Sequence, residues 1–406
     1  MTQRTPWRSQ ILIYLLAFGC FYQQSVLFPV LPRYAGEMDL SVSIISLVLA
    51  ARFIVPALFA ARIGEWTARF GLRRSLIVVS VGTVLSTPLY LLADNVLALI
   101  IAQAINGTFY MAAWIASQTY ATRVPDRDWV VGVFATVTAL GMTVGPIVGG
   151  FALDNGGYGA AFAAYAAGAL LMIAVAYLLG AHPAGQPVVN SRPRPKGQAL
   201  ELLRRPGIQA AFLFSFICLF TISLRGNFVP LFLEEGQMSA TTIGLILAAG
   251  SLGQAAIRPF TGLLLNRSGL VFTMMTAAVI AVIGLALMPV TAVVVLLFAL
   301  SFGHGVGAGL HQSLGLVLLA DSTSDEERGY AVGLRATVSQ ISTAGAPLVA
   351  GVVADSVGME PAFYVTGAML LAGTIWLYQV LRRAEEARRH ATLTQSNEHP
   401  TTLGRS

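Results

Sequence analysis

Apolar runs of about twenty residues recur along almost the whole chain, and that feature restricts the fold more than any other. A run of this length is long enough to cross a bilayer as a helix. Only helices and closed barrels satisfy every backbone polar group inside hydrocarbon. Barrel strands alternate in polarity, whereas these runs are continuous, so the chain reads as an all-α membrane protein. The expected spans are approximately 11–32, 40–63, 75–93, 96–119, 130–153, 159–180, 208–233, 240–264, 270–290, 292–319, 329–354 and 361–381. With 56% hydrophobic and 11% charged residues among 406, the composition excludes an ordinary soluble enzyme. The first run continues to Pro32 without a small-residue cleavage pattern, so it is expected to remain as helix 1.

Charge placement orients these spans. With both termini in the cytoplasm, Arg62, Arg69, Arg73, Arg74, Arg123, Arg127, Arg204, Arg205, Arg267 and Arg328 all fall on that side. The opposite ends carry Glu37, Asp39, Asp94, Asp154, Glu234, Glu235, Asp355 and Glu360, with Arg33 as the exception. Cytoplasmic enrichment of lysine and arginine is the expected asymmetry of a multi-pass protein of the cell (inner) membrane. The net charge of +6 therefore reports topology and contact with anionic membrane lipids rather than nucleic-acid binding. Cys20 and Cys218 lie within apolar spans, and no spacing of metal ligands occurs, so neither a metal nor a cofactor is expected.

One long polar interruption divides the spans six and six. Residues 181–207 contain Pro183, Pro187, Pro193, Pro195 and four arginines and read as a cytoplasmic linker. The expected organisation is a bundle over 1–180, the linker, a second bundle over 208–383 and a polar cytoplasmic tail over 384–406. The halves repeat. At an offset of 198, Cys20 matches Cys218, Pro32 matches Pro230, Ser41 matches Ser239 and Gly64 matches Gly262. At an offset of 201, the run Val131–Val137 matches Val332–Val338, Pro146 matches Pro347 and Asp154 matches Asp355. Duplicated six-helix units are characteristic of transporters whose bundles rock about a site near the bilayer midplane.

Four arginines stand within apolar spans, and each belongs to one half only. Arg52 aligns with Gly250, Arg225 with Leu27, Arg258 with Ala60 and Arg335 with Phe134. No span carries an acid deep inside it. An intramembrane arginine has to face protein or water and find an anion, either a side chain or the solute. Arg52 and Arg225 together would make a central cavity positive, favouring an anionic or zwitterionic solute; the competing reading is that Arg52 caps backbone carbonyls or bonds internal polar groups.

Two motifs carry a family resemblance. After the second span the chain reads Gly64, Glu65, Trp66, Thr67, Ala68, Arg69, Phe70, Gly71, Leu72, Arg73, Arg74, with a degenerate copy from Gly262 to Gly269. The fifth span carries Gly141, Gly145, Pro146, Gly149 and Gly150, a G-x-x-x-G-P-x-x-G-G pattern whose glycines share a helix face and admit a close neighbour. The first resembles the loop 2–3 signature of the major facilitator superfamily. The second resembles the antiporter motif of its exporters, above all the twelve-helix drug:proton antiporters. The resemblance spans nearly the whole chain and implies twelve transmembrane helices in two pseudo-symmetric six-helix bundles, with export favoured over uptake and a single chain sufficient as a monomer.

The departures bear on mechanism. Ala68 stands where the family's loop has an aspartate, and Gln103 precedes Gly107 where its fourth helix has an arginine. Helix 1 offers Tyr22, Gln23, Gln24 and Ser25 but no acid for a cationic drug. In the family, helix 2 packs on helix 11 and helix 5 on helix 8, which implies gate pairs of Glu65 with Arg335 and of Asp126 or Asp128 with Arg258. Helices 1, 4, 7 and 10 are implied to line the cavity. Helix 4 then presents Gln103, Asn106, Tyr110 and Trp114 as a polar and aromatic stripe, and helix 7 adds Asn227. On helix 10, His304 and His311 are candidate proton carriers, together with Glu65, Glu234 and Asp154. The leading expectation is a secondary active exporter, proton-coupled, of a small amphipathic anionic or zwitterionic solute. A polyspecific multidrug:proton antiporter for cationic or neutral compounds is the alternative, and a non-transporting sensor or assembly partner is a second one. No nucleotide loop or paired-acid constellation points to an enzyme.

Overall fold

The computed structural model describes residues 5–124, 127–179 and 198–398. Helices dominate: α1 Trp7–Val26, α2 Val42–Phe70, α3 Leu72–Ser86 and α4 Val96–Thr122 lead into a 52-residue helical stretch, Arg127–Leu178. Then follow α7 Pro206–Asn227, α8 Ala240–Ile257, α9 Leu270–Ala286, α10 Val294–Ala308, α11 Asp325–Val357 and α12 Met359–Glu398. Most of the expected linker lies outside the described residues; its end forms the short helix Gln198–Arg204. Helix α12 continues into the expected polar tail as far as Glu398, and the last eight residues lie outside the described part.

A straight helix of 52 residues would be about 78 Å long, more than twice the hydrocarbon thickness. The stretch is instead a hairpin. Gly157, at φ 66° and ψ −169°, breaks it into α5 (127–156) and α6 (158–178). Along α5, Gly141 abuts Phe18, Gly145 abuts Tyr22, and Gly149 abuts Val26, so α5 runs parallel to α1. Along α6, Gly168 abuts Tyr22 and Gln23, while Met172 abuts Gly19, so α6 runs antiparallel to it. Among the described residues, eleven segments are long and apolar enough to cross a membrane, this hairpin being one of them.

Local chemistry sets the ends. Ser41, Asn95 and Ser239 cap α2, α4 and α8 through their side-chain oxygens, and Ser324 opens α11 with a capping box closed by Glu327. The repeat is written most plainly in the backbone. Every positive φ among the described residues belongs to a pair at one of the two repeat offsets: Asp39 with Gln237, Gly71 with Gly269, and Gly157 with Gly358. Turn geometry has thus kept the duplication even where side chains have diverged. At Gly71 and Gly269 the left-handed residue permits the sharp reversal into the next helix.

Large apolar side chains such as Leu58, Leu85, Leu92 and Val295 are about three-quarters exposed, as a lipid-facing belt requires. The bundles meet along α5 with α8 and along α2 with α11. A methyl at Gly244 would strike the Pro146 carbonyl, and one at Gly150 would strike the Ala240 carbonyl. Small residues therefore let these backbones touch.

Candidate functional site

Arg52 is buried inside the first bundle, 4% exposed. Its backbone lies against Gly107 of α4, where even a methyl would clash. Its Nη1 donates to the Gln24 carbonyl at 3.4 Å, and the guanidinium lies 5.3 Å from the Tyr110 ring centroid. The Tyr110 hydroxyl in turn donates to Gln24 Oε1. Nε and Nη2 of Arg52 have no hydrogen-bond partner.

Arg225 is the largest fully buried side chain among the described residues. Its Nη1 donates to the Leu247 carbonyl and its Nη2 to Ser251 Oγ at 3.4 Å, while Nε is unpaired. Nη1 sits 2.6 Å from where a Cβ on Gly250 would be, with Ser301 Oγ alongside. Gly250 is the repeat partner of Arg52, and Gly305, which packs on the Gly250 carbonyl, is the partner of Gly107. Each bundle thus places one guanidinium at the same helix crossing, delivered by α2 in the first and by α7 in the second. Reading the sequence showed the two arginines as unmatched. The missing signal was Gly250, whose lack of a side chain opens the space that Arg225 fills. Among the described residues, neither guanidinium is ion-paired.

Around these charges the expected cavity residues divide. Tyr22 donates to the Ala164 carbonyl at 3.2 Å, Gln23 is buried with Nε2 unpaired, and Trp114 packs edge-on against Phe21 at 4.8 Å. Asn227 bonds back to the Ser223 carbonyl at 2.9 Å. Gln103 and Asn106 depart from expectation. Both are buried in the interior of the first bundle, where Tyr90 donates to Gln103 at 2.9 Å and Ser86 and Tyr165 donate to Asn106 at 3.0 and 3.3 Å. Their hydrogen-bonding capacity goes to Ser86 on α3, to Tyr90 just beyond its end and to Tyr165 on α6, because polar side chains on a helix buried on several faces turn toward available hydroxyls.

His304 is wholly buried on α10, with Arg225 and the Thr221 backbone as its polar neighbours. His311 holds Nδ1 2.8 Å from the Ala308 carbonyl, and Arg258 and Arg335 are its nearest charges. Arg258 crosses the bundle boundary to donate to the Ala135 carbonyl at 2.6 Å. Its expected partners, Asp126 and the side chain of Asp128, lie outside the described residues. Arg335 donates to Ser215 of its own bundle at 3.5 Å, and Glu65 is exposed. The implied Glu65–Arg335 contact is absent from this state, in which Gly64 on α2 and Gly333 and Gly345 on α11 all border open space.

Loop 2–3 is held by Arg73, which donates to the Ala176 and Tyr177 carbonyls, both at 3.0 Å, a cation at the carbonyl end of α6. Arg69 is exposed beside it. The glycine motif serves two neighbours: Gly141, Gly145 and Gly149 face α1, whereas Pro146 and Gly150 face α8. At the end opposite the linker, Arg33 and Glu234 form an ion pair at 3.4 Å across the bundles. Asp154 caps α8 there, accepting from the Ala240 and Thr241 backbone at 3.1 and 2.8 Å.

The family model of the Major Facilitator Superfamily matches residues 13–235 and 211–403. The chain is 24% identical over 395 residues to the multidrug resistance protein MdtG of Citrobacter koseri, covering 94% of this chain and 97% of the relative. It is 28% identical over 151 residues to the class E tetracycline resistance protein of Escherichia coli, 37% of each chain. In fold it is similar to the inward-facing, unoccupied bacterial homolog of the human lysosomal transporter Spinster, with a TM-score of 0.76, 14% identity and coverage of 95% and 99%. The nucleoside transporter NupG matches with a TM-score of 0.74 at 16% identity, covering 92% and 99%.

Proposed function

The chain belongs to the major facilitator superfamily, and on that premise we propose that this multi-pass transporter exports small amphipathic solutes of anionic or zwitterionic character against inward proton movement. The observation that carries the solute's charge is the pair of buried guanidiniums, Arg52 and Arg225, one per bundle and neither ion-paired among the described residues. Charge buried without a counter-ion exerts a long-reaching field in a low-dielectric interior. A carboxylate or phosphate reaching the space between the bundles gains from that field, and a lipophilic cation loses. Tyr22, Gln24, Tyr110 and Trp114 supply hydrogen bonds and ring faces for the rest of an amphipathic molecule.

The direction of transport rests on the glycine motif of α5 and on relatives named for multidrug and tetracycline resistance. In this reading the linker end, where arginine is in excess, faces the cytoplasm. His304 on α10 and His311, which opens the helix that follows it, are the proton carriers in this reading.

A second reading, polyspecific export of cationic or neutral drugs, is favoured by those same relatives. Proton-driven uptake of matched anionic and cationic fluorescent amphiphiles into inside-out vesicles separates the two. Arg52→Gln and Arg225→Gln are each expected to lower anion uptake at least tenfold at equal protein content. Undiminished anion uptake by both variants refutes the assignment, and robust cation uptake by the wild type with no anion uptake favours the second reading.

A further inference from the structure

The two aspartates of the 201-residue repeat, Asp154 and Asp355, do the same thing in opposite directions. Asp154, near the end of α5 in the first bundle, accepts from the backbone N–H groups of Ala240 and Thr241 and from the Thr241 hydroxyl, at 3.1, 2.8 and 2.6 Å. Those residues open α8 in the second bundle. Asp355, near the end of α11 in the second bundle, accepts from Val42 N at 3.0 Å, from Ser43 N at 3.2 Å and from the Ser43 hydroxyl. Those residues open α2 in the first. Val42 and Ser43 correspond to Ala240 and Thr241 at the other repeat offset, so the two contacts are related by the pseudo-two-fold.

Each receiving helix also has a cap of its own. Ser41 accepts from Ile44 N at 3.4 Å and Ser239 from Thr242 N at 3.2 Å. The first turn of each helix is therefore satisfied jointly: its own serine takes one free N–H, and a carboxylate from the other bundle takes two. An N-terminus left with free N–H groups and a positive dipole end is where a carboxylate is most effective. Close packing holds the geometry, since Gly150 and Gly351 lie against the same turns, Ala240–Thr241 and Ser43–Ser46. The Arg33–Glu234 ion pair crosses between the bundles at this same end.

We infer that Asp154 and Asp355 are a matched pair of gate residues that hold the pathway shut at the end opposite the linker, each by capping a helix of the other bundle. Opening that end must break both caps and hand four backbone N–H groups to water, while Ser41 and Ser239 keep their helices started. The two caps have the same form, so each carboxylate contributes a similar bias and the pair biases the equilibrium multiplicatively. The inference rests on the chain being a transporter that alternates between two open ends. It does not depend on the charge of the solute.

Double electron–electron resonance on the full chain, with Cys20 and Cys218 replaced by alanine, tests it. Spin labels at Asp94→Cys and Val293→Cys, exposed positions beside the α3–α4 and α9–α10 turns of the two bundles, report separation at this end. Asp154→Ala and Asp355→Ala are each expected to raise the ratio of long to short distances roughly tenfold, and together by about the product. Ser239→Ala removes a cap from α8 without crossing the boundary, and is expected to lower thermal stability with the distance ratio unchanged. Should the double variant fail to fold, the single variants carry the same test. Distances unmoved by either aspartate, or moved equally by Ser239→Ala, overturn the inference. Neither result bears on which solute is carried, because the measurement needs none.

Discussion

Replacing Gly145 by alanine is expected to destabilise the protein, whereas the same change at Gly132, three turns earlier on α5, is expected to leave it unchanged or more stable. At Gly145 a Cβ would strike Ser25 Oγ and lie 2.6 Å from the Tyr22 carbonyl oxygen and 3.0 Å from Val26 N. Ordinary Cβ contacts begin near 3.4 Å, so the Tyr22 approach is about 0.8 Å too short, and the obstacle is backbone that cannot swing aside. Separating α1 from α5 to relieve such overpacking costs about 1–3 kcal/mol. Alanine recovers up to ~1 kcal/mol of helix propensity, which leaves a net loss of up to about 2 kcal/mol. Gly132 has nothing within 4 Å of its added methyl, so only the propensity gain remains. The propensity gain is common to both positions, so the same single methyl should differ between sites by the overpacking cost, about 1–3 kcal/mol. Unfolding of the purified variants in mixed micelles, followed by tryptophan fluorescence, measures this. A Gly145→Ala protein as stable as wild type, or a Gly132→Ala protein destabilised as much, refutes the packing argument. The second bundle shows the alternative solution: at the repeat position of Gly141 stands Ser342, whose hydroxyl donates to the Phe216 carbonyl at 2.6 Å instead of yielding the space.

Two further predictions concern polar groups. Arg205 grips Glu327 with two hydrogen bonds of 2.7 and 2.8 Å, joining the linker end to the start of α11. This guanidinium, aided by the Ser324 N–H, pulls the Glu327 carboxyl down to about 2. Because the folded value lies below the unfolded one, the pair's stabilisation is complete above the unfolded carboxylate pKa of about 4.3 and disappears as pH falls toward 2. Melting curves of wild type and Glu327→Gln should converge across that window, and a constant gap down to pH 2 contradicts the assignment. Asn106→Leu leaves the Ser86 and Tyr165 hydroxyls without an acceptor inside the bundle and should cost about 2–4 kcal/mol. Unaltered stability with a raised KM for the solute would instead return Asn106 to the pathway.

How far these features could be read beforehand varies with the physics behind each. The apolar spans were legible because each is a local property of a short stretch. The helix 5 motif was legible as a close-packing face, but not which neighbour each glycine meets. Spacing puts Gly149 and Gly150 side by side; only the fold sends one to α1 and the other to α8. Asp154 and Asp355 were visible as repeats of each other, yet a repeat shows likeness within copies and is silent about contacts between them. Gln103 and Asn106 were correctly placed on a helical stripe, but a helix buried on several sides has more than one polar face to offer, and the hydroxyls of Tyr90, Ser86 and Tyr165 decided which. The Glu65–Arg335 pair depends on which end of the pathway is closed, and no single stretch of sequence encodes that.

In the proposed function, two buried guanidiniums without ion-pair partners among the described residues make the pathway selective for negative charge. The melting temperature of the purified wild-type protein against a panel of amphipathic anions, zwitterions and cations of matched size tests this, since a ligand that binds the folded state raises it. Saturable increases are expected for anions and zwitterions and should vanish in Arg52→Gln and Arg225→Gln. Increases confined to cations, and unaffected by either substitution, would contradict it.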